Sequence, residues 1–85
     1  MKFYKIYAIA ECPYCARLIQ ALIDKKETFY VEFLDGNKKK LDEMKALYKH
    51  DTVPIVILKQ GEEETLLGGC DDTLVHMDTE NKVLE

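Results

Sequence analysis

The sequence predicts an α/β domain with a four-stranded mixed sheet flanked by helices, in the order βαβαββα. Two observations carry the prediction. Apolar residues near the N-terminus switch from strand-like to helix-like recurrence directly after Cys12-Pro13. Later, the continuous run Ile55-Val56-Ile57-Leu58 reads as a strand buried on both faces, followed by a glycine turn and a returning strand. A strand–helix–strand opening implies a right-handed parallel crossover, and the late hairpin adds antiparallel strands to the same sheet.

The first strand spans Lys2 to Ile9, rich in Tyr, Phe and Ile. Cys15, Leu18, Ile19, Leu22 and Ile23 then form the stripe of an amphipathic helix, begun by Pro13 in its first turn and ended near Lys25 and Lys26. Thr28 to Leu34 is a second strand. Asp35-Gly36-Asn37 is a turn, with Asn37 placed to cap a helix from Lys38 to about Lys49 whose buried side holds Leu41, Met44, Leu47 and Tyr48. Thr52-Val53-Pro54 leads into the apolar third strand. Gln60-Gly61 turns the chain into a fourth strand from Glu64 to Leu67. Gly68-Gly69 ends that strand, and Asp71 or Asp72 caps a last helix from about Thr73.

The chain has 85 residues, with 12 basic and 16 acidic side chains for a net charge of −4. That length supports one domain, residues 1–85, with a thin core. The acidic balance disfavours nucleic acid or an anionic membrane as partner. No apolar run approaches the ~20 residues of a membrane span, and the N-terminus lacks the apolar core of a signal peptide. A cytoplasmic protein is expected. Three cysteines, an odd number, argue against a disulfide scaffold. In a reducing compartment the spaced pair Cys12 and Cys15 points instead to chemistry or metal binding.

Cys12 falls at the mouth of the first helix, where unpaired N–H groups and about half a positive charge converge. That setting lowers the cost of ionising a thiol. Cys15 lies one helical turn further in, within reach of a disulfide formed on Cys12. Cys12 is therefore expected to be the exposed nucleophile and Cys15 the resolving thiol. Glu11 adjoins Cys12 and opposes its ionisation, leaving Arg17 and the helix end as its supports. Tetrahedral zinc would need two further ligands. Cys70, His50 and His76 are the other soft candidates, and none is suitably spaced, so no metal is expected. Tyr14 can shield the sulfurs. Both histidines are expected to face solvent or to serve packing, and Cys70 to be a small residue without catalytic duty.

Cys12-Pro13-Tyr14-Cys15, Thr52-Val53-Pro54 and Gly68-Gly69-Cys70-Asp71-Asp72, in that order and spacing, resemble a dithiol glutaredoxin of the small bacterial or phage type, within the thioredoxin-like superfamily. The resemblance spans nearly the whole chain. Ile9 departs from it, since relatives commonly carry Lys or Arg three residues before the first cysteine. The resemblance implies a glutathione-dependent thiol–disulfide oxidoreductase, with glutathione as co-substrate and disulfide or glutathionylated proteins as clients. Ribonucleotide reductase is one such client by analogy, and the protein is expected to be monomeric. It further implies a cis Val53–Pro54 bond, with Val53 backbone groups pairing with the cysteinyl unit of glutathione. Pro13, Tyr14 and Thr52 would line the same site. Gly69 and the Cys70 and Asp71 amides would receive the γ-glutamyl carboxylate, Asp72 or Asp71 the ammonium, and Lys40 or Lys49 the glycyl carboxylate. Three rivals stand beside this reading: a glutathione-assisted iron–sulfur carrier, disfavoured by Pro13; a thioredoxin-type electron donor, disfavoured by Pro-Tyr between the cysteines; and a redox-inert interaction domain, disfavoured by the two intact cysteines.

Overall fold

A computed structural model describes residues 1–83 of the chain, with side chains described to residue 79. Its elements are β1 (Lys2–Ala8), α1 (Pro13–Asp24), β2 (Phe29–Phe33), α2 (Lys38–Leu47), β3 (Ile55–Gln60), β4 (Glu63–Gly68) and α3 (Cys70–Val83). The sheet order is β2-β1-β3-β4. β1 pairs parallel to β2 and antiparallel to β3, and β3 pairs antiparallel to β4, so the sheet is mixed as the sequence predicts.

Strand alternation assigns the two faces. Tyr4, Ile6 and Ala8 of β1 are fully buried and join Val56 and Leu58 of β3 in one cluster with Leu18, Leu22, Cys70 and Met77. That cluster places α1 and α3 together on one face. Tyr7 points to the opposite face, where its ring lies 6.5 Å from that of Tyr48 at the end of α2. β3 is buried on both faces over Ile55 to Leu58, which is why that stretch is an unbroken apolar run.

Three sequence expectations are corrected. Ile23, assigned to the buried stripe of α1, is exposed, because only Cys15, Leu18 and Leu22 face the sheet. α2 ends at Leu47, which is exposed rather than buried, and the helix buries no residue fully. α3 begins at Cys70, three residues before the expected Thr73. Gly69 takes the cap position: its carbonyl accepts from Thr73 N (3.1 Å) and Thr73 Oγ1 (2.8 Å), while its N–H donates to Asp72 Oδ2 (3.2 Å). The Asp72 carboxylate can fold back because Gly68, at φ 113°, has no Cβ; a methyl there would collide with it.

Helices α1 and α2 end alike. Lys26 N donates to Ile23 O and Glu27 N to Leu22 O; Lys49 N donates to Ala46 O and His50 N to Lys45 O. This is the Schellman arrangement, and it holds Lys26 and Lys49 in the left-handed region, at φ 57° and 52°. A lysine there is strained by about 1–2 kcal/mol. Glycine relieves that strain but adds about 0.5–1 kcal/mol of chain entropy to the unfolded state. Lys26→Gly is therefore expected to stabilise the fold by a net ~0.5 kcal/mol, raising the melting temperature by roughly 2–4 °C. Lys26→Val should lower it, and calorimetry showing both variants shifted the same way would contradict the account.

Candidate active site

Cys12 occupies the cap position of α1 in extended geometry, φ −137° and ψ 106°. Its Sγ accepts a hydrogen bond from Cys15 N at 3.1 Å, and its carbonyl accepts from Ala16 N at 3.0 Å. The sulfur thus takes the place that a Ser or Asp oxygen fills in an ordinary N-cap. The positive end of the α1 dipole points at the same sulfur. Opposite it, across the cis Val53–Pro54 bond, the Val53 carbonyl lies 3.8 Å from Cys12 Sγ. The cis bond is as the resemblance implies. The Val53 carbonyl, however, faces the sulfur.

Cys12 is corrected in one respect. Expected to be exposed, it is 8 % accessible, because Val53 covers it from one side and the apolar cluster backs it from the other. Cys15 is 1 % accessible. Burial, reinforced by the hydrogen bond and the charge of Cys12, pushes the Cys15 thiol from 9.0 up to about 12. The Cys70 thiol, also buried, is raised by desolvation as well. None of the three cysteines is in a disulfide, and no three His, Cys, Asp or Glu side chains converge as metal ligands among the described residues.

The loop between β1 and Cys12 is fixed from the second βα turn. Ala10 N donates to both carboxylate oxygens of Asp35, at 2.9 and 3.1 Å. A groove of about 530 Å³ runs beside this loop, lined by Ile9, Ala10, Glu11, Leu34, Asp35, Lys38 and Leu41. On another side lies a pocket of about 290 Å³ lined by Tyr14, His50, Thr52, Gly69, Cys70, Asp71 and Asp72. Tyr14, Thr52, Gly69, Cys70, Asp71 and Asp72 are therefore brought together as the sequence expects. Pro13 is exposed at the start of α1, Val53 is half-buried and Pro54 is buried beneath the site.

Lys40 is not among the lining residues of either cavity. Its Nζ forms an ion pair with Glu32, which also binds Lys5 at 3.2 Å, and these two lysines hold the Glu32 carboxyl below its usual range. Lys49 is exposed, held in the turn after α2. Two contributors went unseen in the sequence. Lys38, from the same lysine run, lines the groove beside Glu11, and His50, expected to face solvent or serve packing, is half-buried and lines the pocket. Counting residues from the Asn37 cap would have separated Lys38 from Lys40. His50 carries no local signal, because its place depends on how α2 ends.

The geometry predicts a fixed order of thiol reactivity. Iodoacetamide at pH 8 should label Cys12 well before Cys15 or Cys70, and Cys15 should become reactive only as the pH climbs towards about 12. Peptide mass mapping checks this, and Cys15 labelling as fast as Cys12 at pH 8 would refute it.

A family model described as Glutaredoxin matches residues 4–62. Glutaredoxin 1 of Rickettsia prowazekii is 33 % identical over 81 residues, spanning 92 % of this chain and 79 % of that one. Among solved structures, the dithiolic glutaredoxin 2-C-Grx1 of Trypanosoma brucei brucei aligns with a TM-score of 0.68 and 28 % identity, covering 93 % of this chain and 79 % of that one. The glutaredoxin of Brucella melitensis aligns at 0.66 and 29 %, covering 94 % and 82 %.

Proposed function

Because the chain belongs to the glutaredoxin family, and is thus a thiol–disulfide oxidoreductase, we propose that it draws its electrons from glutathione and acts through Cys12 as nucleophile and Cys15 as resolving thiol. The observation that carries this assignment is the Cys12 sulfur itself, seated as the α1 cap with Cys15 N at 3.1 Å and Cys15 buried one turn behind it.

With a glutathionylated client, the Cys12 thiolate attacks the glutathione sulfur. The client leaves as a thiolate, and a mixed disulfide joins Cys12 to glutathione. A second glutathione thiolate then attacks the bound glutathione sulfur, forming oxidised glutathione and returning Cys12 as thiolate. With a protein disulfide, Cys12 first bonds to one client sulfur. Cys15 then attacks Cys12 Sγ, gives its proton to the departing client thiolate, and closes the Cys12–Cys15 disulfide. Two glutathiones reopen it. Each step exchanges one S–S bond for another, so in-line sulfur geometry is the main requirement.

The cavities beside the dithiol suit the two ends of the tripeptide. At the 290 Å³ pocket, Cys70 and Asp71 sit in the first turn of α3, where backbone N–H groups have no intrahelical partner and attract a carboxylate. Asp72 supplies negative charge for the γ-glutamyl ammonium, although one of its oxygens also caps Gly69. For the glycyl carboxylate, Lys38 in the groove beside Glu11 is the better-placed cation, since Lys40 is engaged by Glu32. Clients are disulfide or glutathionylated proteins of a reducing cytoplasm.

Reduction of a glutathione mixed disulfide, with glutathione as the only reductant, tests the assignment. Cys12→Ser should fall to background in every exchange assay. Cys15→Ser should keep deglutathionylation and lose reduction of protein disulfides; equal losses in both variants would remove the division of labour. Lys38→Ala should raise KM for glutathione about two- to fivefold, as expected for one exposed charge pair, and the effect should shrink in high salt. Lys40→Ala should leave KM unchanged, and a reversed pattern would return the role to Lys40.

A further inference from the structure

His50 is the pocket residue to which no role has yet been given. The turn after α2 holds its backbone, with His50 N donating to Lys45 O at 2.9 Å. Its ring is fixed separately: Nδ1 lies 2.8 Å from the Thr52 carbonyl oxygen. A carbonyl oxygen only accepts, so Nδ1 carries the hydrogen, and in the neutral ring Nε2 presents a lone pair. That edge of the ring lies over Gly69: a Cβ built there would stand 3.7 Å from Cε1 and 3.8 Å from Nε2. Nε2 therefore sits near Gly69 at the start of α3, and His50 lines the same cavity as Asp71 and Asp72.

The pocket thus divides into two chemistries. The first-turn amides of α3 offer donors, while the side chains of Asp71, Asp72 and His50 offer acceptors. A zwitterionic α-amino acid end satisfies both at once, and an uncharged or purely anionic end does not. We propose that His50 is a specificity-determining residue that accepts a hydrogen bond at Nε2 from the α-ammonium of the ligand, selecting a γ-glutamyl unit over analogues lacking the amino group. This rests on the assignment of glutathione as co-substrate and adds to it the means of discrimination. The Thr52 carbonyl acts as a positioning group, since it fixes the ring tautomer. Gly69 leaves the ring edge open to the ligand.

Two amide variants divide the ring's two functions. His50→Asn keeps an amide donor towards Thr52 but places nothing where Nε2 stood, whereas the second variant, His50→Gln, reaches the Nε2 position with an amide oxygen. The probes are glutathione and glutaryl-cysteinyl-glycine, the same tripeptide without its α-amino group, used as reductants of one mixed disulfide. Loss of one hydrogen bond to a charged group predicts that His50→Asn raises KM for glutathione about tenfold while kcat is little changed. KM for the des-amino tripeptide should not move, and His50→Gln should recover part of the loss. A rise in KM equal for both tripeptides, or no rise with glutathione, overturns the proposal while leaving the glutathione assignment standing. Wild-type protein that cannot use glutathione at all overturns both.

Discussion

The site depends on a sulfur doing the work of a helix cap. Cys12 Sγ satisfies the Cys15 amide that would otherwise lack a partner at the start of α1, so the reactive atom is also part of the helix's own hydrogen bonding. The surrounding structure serves to hold it there. β1 delivers the chain through a strand whose alternate residues, Tyr4, Ile6 and Ala8, are fully buried. Asp35 grips the Ala10 amide just before the cysteine, and Val53 closes over the sulfur from the third strand's approach. With 8 % of Cys12 accessible, a partner can reach it only along the line these neighbours leave open.

Two cavities lie around that line on separate elements. The groove at Ile9–Glu11 and Lys38 lies by the β1–α1 loop, and the Tyr14–Asp72 pocket draws on α1, the loop before β3 and the start of α3. Cations are not placed indiscriminately. Glu32 on β2 binds Lys5 and Lys40 together, leaving Lys38 to face the groove. The match of the family model to residues 4–62 takes in the dithiol and the cis-proline turn. Gly68 to Asp72 lies beyond that match, and its part in the site comes from the geometry of the α3 start.

The strand–helix order, the sheet class and the position of the dithiol were legible in the sequence because each rests on local periodicity or on a motif. What the sequence left hidden depends on contacts between distant segments. The start of α3 was misplaced because Gly68-Gly69 resembles a break. Gly69 in fact caps the helix, and Asp72 folds back onto it in the space that Gly68 leaves. Leu47 and Ile23 have helical spacing that suits burial, yet no neighbouring element covers them. His50 and Lys38 belong to a site only once α2 is laid against the sheet, and no residue next to them in sequence announces it.

The buried partner thiol carries a built-in interlock. Burial is the first of the influences that keep the proton on Cys15, but Cys12 contributes two more, its hydrogen bond and its charge. Once Cys12 Sγ is bonded to another sulfur it carries no charge, and both restraints lapse together. Engagement of the first cysteine therefore loosens, without abolishing, the hold on the second one's proton, since burial, the largest influence, persists. Timing of this kind needs no moving segment, only two sulfurs one turn apart.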